Sequence, residues 1–161
     1  MRNVFAASFA FALLGAPVFA DGHATGDAAA GEKVFNKCKA CHSVVSADDE
    51  VIVRGGRNGP NLWGIFDRVA GSDEEFAKKY GDSLIEAGAN GLQWNEEDFV
   101  VYAADPKKFL QTTLDNKKAR SKMSFRLKKE EDARNVWAYL VSVGPEVKAE
   151  MEAETETTTT N

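Results

Sequence analysis

Cysteine, histidine and methionine are scarce in this chain, at two, two and three among 161 residues. Two cysteines exclude a framework of several disulfides, the usual substitute for a core in small exported proteins. Positive charge is outnumbered, with 20 Lys and Arg against 25 Asp and Glu and a net charge of −5. That balance argues against general nucleic-acid binding, which shows a basic surplus. No segment alternates at the period of a strand well enough to require a sheet, and no internal repeat is present. No apolar run reaches the ~20 residues that a membrane-spanning helix needs. What remains is ordinary: 43% hydrophobic and 28% charged residues, enough for one compact domain with extended ends.

The ends read differently from the middle. Met1 to Ala20 has the form of a secretory signal peptide: Arg2, an uncharged stretch from Val4 to Leu14, and small residues closing at Val18-Phe19-Ala20. Cleavage after Ala20 is expected, which places the product in the periplasm and removes a positive charge. Residues 21–26 read as a flexible leader, 27–145 as the folded domain, and 146–161 as a disordered tail rich in glutamate and threonine, with little to bury.

Within 27–145 the expected class is all-α. Asp27 is a plausible cap for a helix running through Val34 and Phe35 towards the cysteines. Ser46 to Pro60 carries loop signals, Gly55-Gly56 and Gly59-Pro60 among them. Helical segments are expected at Glu74–Lys79, Ser83–Ala87 and Glu96–Ala103, with another after Pro106, a residue suited to a first helical turn. A longer helix is expected from about Lys129 to Val143, with Val136, Tyr139, Leu140 and Val143 on one face.

The two cysteines stand three positions apart and are followed by histidine: Cys38-Lys39-Ala40-Cys41-His42, the C-x-x-C-H signature of covalent haem attachment. Two thiols at this spacing can form thioethers with the two vinyl groups of a porphyrin, and the next residue then carries an imidazole towards the iron. A structural zinc site would need four ligands, yet there is no second cysteine pair and the other histidine, His23, lies near the mature N-terminus. A redox dithiol would need a βαβ setting, and the surroundings read helical.

The other face of such an iron admits two readings. Left open, it suits a five-coordinate haem enzyme or a gas-binding cytochrome; closed by a second strong ligand, it makes an electron carrier. Beyond the signal peptide the methionines are Met123, in Ser121-Lys122-Met123-Ser124-Phe125 ahead of the last helix, and Met151, in the acidic tail.

With these features, the stretch from Gly31 to Leu140 resembles the class I cytochromes c, most closely the bacterial cytochrome c2 group. Gly31 and Phe35 match the crossing of the family's first helix over its last, and Val136, Trp137 and Tyr139 match the partner face. The resemblance implies three to five helices around one haem c, held by thioethers to Cys38 and Cys41 with iron between His42 and Met123. It further implies that the Pro60 carbonyl accepts from the His42 ring, that Arg68, Trp94 and Tyr80 hold a propionate, that the Tyr102 hydroxyl approaches the methionine sulfur, and that Phe125 packs at the exposed haem edge. The polar stretch Gln111 to Arg120 is an insertion relative to the short mitochondrial relatives. The resemblance implies a monomeric carrier, not an enzyme, with a cytochrome bc1-type donor and a reaction centre or terminal oxidase as acceptor.

Charge is segregated along the chain. Between Lys107 and Lys129 nine residues are basic (Lys107, Lys108, Lys117, Lys118, Arg120, Lys122, Arg126, Lys128 and Lys129) and only Asp115 is acidic. This run brackets Met123, so a basic docking face at the haem edge is expected, one that steers the molecule towards acidic sites on its partners.

Overall fold

The computed structural model describes residues 24–145. The expected signal peptide, the first half of the leader (His23 included), Met151 and the acidic tail lie outside the described residues. Five helices surround a core, in the order α1 (Ala28–Phe35), α2 (Asp82–Ala89), α3 (Glu96–Ala104), α4 (Pro106–Thr113) and α5 (Glu130–Ser142). None is long and apolar enough to cross a membrane.

Local chemistry starts these helices where the sequence indicates. The Asp27 side chain accepts from Ala30 N–H and caps α1. Asn95 caps α3 through Asp98 N–H. Asp105 ends α3 and caps α4 through Lys108 N–H, with Pro106 as the first helical residue. α5 starts one residue later than expected, with Lys129 at its N-cap, and Val143 closes it.

α1 packs across α5. Phe35 is 1% exposed, its ring 5.6 Å from that of Tyr139, while Val136 and Trp137 are fully buried. Behind them Trp137 meets Phe99 of α3 at 5.3 Å and Phe66 at 6.4 Å. The first and last helices therefore close the fold around one shared apolar seam.

Two regions depart from the sequence expectation. The Val44–Val53 region forms a small antiparallel pair, β1 (Val44–Val45) just before the expected loop with β2 (Val51–Val53) inside it. The far edge of β1 is satisfied by a side chain: Asn61 Nδ2 donates to Val45 O at 2.7 Å and Asn61 Oδ1 accepts from Val45 N–H at 3.0 Å. At Glu74–Lys79 only a 3₁₀ turn forms, η1 (Ala77–Lys79), preceded by a turn in which Asp73 Oδ1 accepts from Phe76 N–H.

Candidate functional site

All ten residues singled out from the sequence converge on one cavity of about 570 Å³: Cys38, Cys41, His42, Pro60, Arg68, Tyr80, Trp94, Tyr102, Met123 and Phe125. That size lies within the ~300–1,000 Å³ of typical cofactor sites. The remaining walls are largely apolar, with Leu62, Ile65, Leu84, Phe99, Leu127 and Val136.

The cysteine wall follows directly from α1. Turn-like hydrogen bonds continue the chain past Phe35, with Cys41 N–H and His42 N–H both donating to Cys38 O at 3.0 Å. Cys38 is partly buried and Cys41 exposed, and the two are not joined to each other as a disulfide. Before haem attachment, burial pushes the Cys38 thiol up to about 11, a little opposed by Lys37.

His42 is fixed from behind. Its Nδ1 donates to the Pro60 carbonyl at 2.8 Å, and since a carbonyl can only accept, the proton sits on Nδ1 and Nε2 is the free donor atom. Gly59 presses so closely on the ring that a β-carbon there would stand 2.6 Å from Nδ1. Burial holds the imidazole below its ordinary range; the Pro60 bond acts the other way, and Arg68 adds to the burial effect. The ring is thus neutral and oriented, as a ligand must be.

Arg68 and Trp94 are locked to each other through the backbone: Trp94 N–H donates to Arg68 O at 3.0 Å and Asp67 N–H to Trp94 O at 2.9 Å. The Arg68 guanidinium donates to Asn61 O at 2.9 Å and Trp63 O at 3.3 Å, with Asp73 Oδ2 at 3.8 Å. Trp94, Tyr102 and Phe109 form an aromatic triad with centroid separations of 5.0, 5.6 and 6.2 Å. Tyr80 is 8% exposed, its ring edge-on to Phe76 at 5.0 Å.

Met123 reaches the cavity on a segment without regular secondary structure. Ser121 Oγ accepts from Met123 N–H at 3.1 Å and lies 3.3 Å from the Tyr102 hydroxyl. Phe125 lines the mouth and is 40% exposed.

The donor set fits a haem. Among the described residues no group of three or more His, Cys, Asp and Glu side chains could hold a bare metal ion. Instead two thiols stand beside an oriented imidazole, a thioether lines the same apolar cavity, and a guanidinium and two aromatic side chains complete the wall.

The nine basic residues of the 107–129 run are all exposed, but only Arg120 and Lys122 line the cavity. Arg126 pairs with Asp105 at 3.3 Å. The mouth also carries Lys37, Arg57 and Lys79, which sequence reasoning missed because they come from three separate segments. Ser121 and Asn61 were missed too; a hydroxyl two residues before a candidate ligand is the signal that could have found Ser121.

Comparison with known proteins places the chain in a family. The family model described as Cytochrome c matches residues 28–144. Cytochrome c2 of Rhodobacter capsulatus is 49% identical over 141 residues, covering 88% of this chain and 96% of that protein. Cytochrome c-550 of Paracoccus denitrificans is 41% identical over 133 residues, covering 81% of this chain and 83% of that protein. Among solved structures, cytochrome c2 from Rhodobacter sphaeroides matches with a TM-score of 0.72 and 49% identity, over 74% of this chain and 98% of the other.

Proposed function

Because the chain belongs to the cytochrome c family and is an electron-transfer protein with one covalently bound haem c, we propose that it is a periplasmic carrier whose iron is held by His42 and Met123. Bound in the cavity, the haem iron supplies a one-electron couple between its ferrous and ferric forms.

One observation carries the ligation: His42, with Nδ1 occupied by Pro60, and Met123, tied to Ser121, line the same cavity as both cysteines. The thiols of Cys38 and Cys41 provide the covalent attachment. His42 presents Nε2, and its bond to Pro60 raises its donor strength. Met123 presents a thioether, the ligand that favours a raised potential. Arg68, Trp94 and Tyr80 provide donors for the propionates, and the apolar walls keep water from the buried part of the ring.

The basic mouth supports transient docking onto acidic surfaces. A cytochrome bc1-type complex is the proposed donor, and a photosynthetic reaction centre or terminal oxidase the acceptor. Cytochrome c2 of Rhodobacter capsulatus stands nearer in sequence, at 49% identity, than cytochrome c-550 of Paracoccus denitrificans, at 41%.

The test is spectroscopic. Ferric wild-type protein should show the weak sulfur-to-iron band, and its ferrous form should resist carbon monoxide. Met123→Ala should lose the band and bind carbon monoxide readily. A wild type that binds carbon monoxide as readily as the variant would overturn the ligation in favour of a five-coordinate haem protein.

A further inference from the structure

The stretch between α4 and Met123 folds back on itself. Gln111, in the last turn of α4, donates through Nε2 to Lys117 O at 2.7 Å and reaches Ala119 O at 3.4 Å. Its own carbonyl accepts from Asn116 N–H at 3.0 Å, and Asn116 in turn holds the amides of Lys118 and Ala119, each at 2.9 Å. Ala119 is 2% exposed and plugs the core. The chain leaves this knot by an anchor on another helix: Arg120 N–H donates to Ser83 Oγ at 3.1 Å, in the first turn of α2.

Beyond that point every residue up to Met123 is tied to a different element. Ser121 Oγ meets Tyr102 of α3 at 3.3 Å, and Lys122 Nζ donates to Lys79 O in η1 at 2.9 Å. The knot therefore sets where the last three residues before Met123 begin.

We propose that Ser83 and Gln111 are positioning residues for Met123: they hold the loop that carries it closed without lining the cavity themselves. Neither residue lines the cavity. The inference rests on the reading of Met123 as iron ligand. Its physical content is a population. For an outside ligand to reach the iron, Met123 must step away, so apparent affinity scales with the open fraction of the loop. A neutral hydrogen bond of this kind changes such an equilibrium by about fivefold.

The experiment titrates ferric holoprotein with imidazole and follows the sulfur-to-iron band. Ser83→Ala should bind imidazole about fivefold more tightly than wild type, and Gln111→Ala, which frees two contacts, roughly five- to twentyfold. Ser83→Thr keeps the acceptor and should retain wild-type affinity. Ile85→Ala, in the same helix and 44% exposed, serves as the control for a general weakening of α2. A common shift in Ser83→Ala and Ile85→Ala assigns Ser83 a merely structural role and overturns the proposal. Wild-type affinity in both Ser83→Ala and Gln111→Ala, with the band present, overturns it while leaving Met123 as ligand. A wild type without the band removes the ligand reading and the proposal together.

Discussion

Gly31 of α1 lies directly against the backbone carbonyl of Asn135 in α5: a β-carbon at Gly31 would overlap that oxygen and stand 2.9 Å from Tyr139 Cβ. The contact is backbone to backbone, so no side-chain rotation can relieve it. Gly31→Ala is expected to force the two helices apart and lower the holoprotein's stability by about 1–3 kcal/mol, with Gly31→Val worse. Denaturant midpoints measure it, with the haem spectrum as probe. An unchanged midpoint for Gly31→Val would show that the crossing is looser than this.

A similar contact governs the histidine. A β-carbon at Gly59 would push on the His42 ring and strain its bond to Pro60. Losing that bond makes the imidazole a poorer donor, which disfavours the ferric state. Gly59→Ala should therefore raise the reduction potential. Voltammetry showing an unmoved or lowered potential would contradict this.

Much of this was readable along the chain because the causes are local. Asp27, the Asp105-Pro106 pair and the apolar face of α5 mark their helices by themselves, and Cys38 to His42 mark the haem site by spacing alone. What escaped reading is non-local. β1 owes its second edge to the Asn61 side chain rather than to an alternating pattern. Ser121 matters because Tyr102 arrives beside it from another helix. Lys37, Arg57 and Lys79 reach the mouth from segments whose own charge runs give no hint of it.

The tyrosines give a pH signature. All three are pushed above the ordinary phenol value, chiefly by burial: Tyr80 to about 12, partly opposed by Arg68, with Tyr102 and Tyr139 shifted in the same direction. The unfolded chain then releases phenolic protons first, so this contribution to stability is whole below about pH 10 and is lost as pH rises towards 12. Native protein at pH 10 should show little tyrosinate absorbance, while the same chain in denaturant shows about half. Tyr80→Phe should flatten the fall in stability above pH 10. Equal tyrosinate in native and denatured protein would refute the assignment.

The charges at the mouth lead to the prediction closest to function. Within the described residues Arg57, Lys79, Arg120 and Lys122 are not ion-paired; the Lys79 and Lys122 ammonium groups donate to the carbonyls of Arg57 and Lys79, at 3.3 and 2.9 Å. A carbonyl satisfies a proton without cancelling the charge, so the rim stays positive around the exposed Phe125 in an otherwise acidic protein. Steering of this kind accelerates encounter by ~10–10³ and fades as the Debye length falls from ~30 Å at 0.01 M salt to ~3 Å at 1 M. Electron transfer from an acidic partner complex should therefore slow by at least about tenfold across that range. Arg57→Glu and Arg120→Glu should each flatten the salt dependence and reduce the low-salt rate. Lys107→Glu, whose charge lies outside the cavity lining, should do so less. Stopped-flow rates independent of salt, or equal effects from Lys107 and Arg120, would remove the mouth as the docking face and return the basic run to a solvated surface.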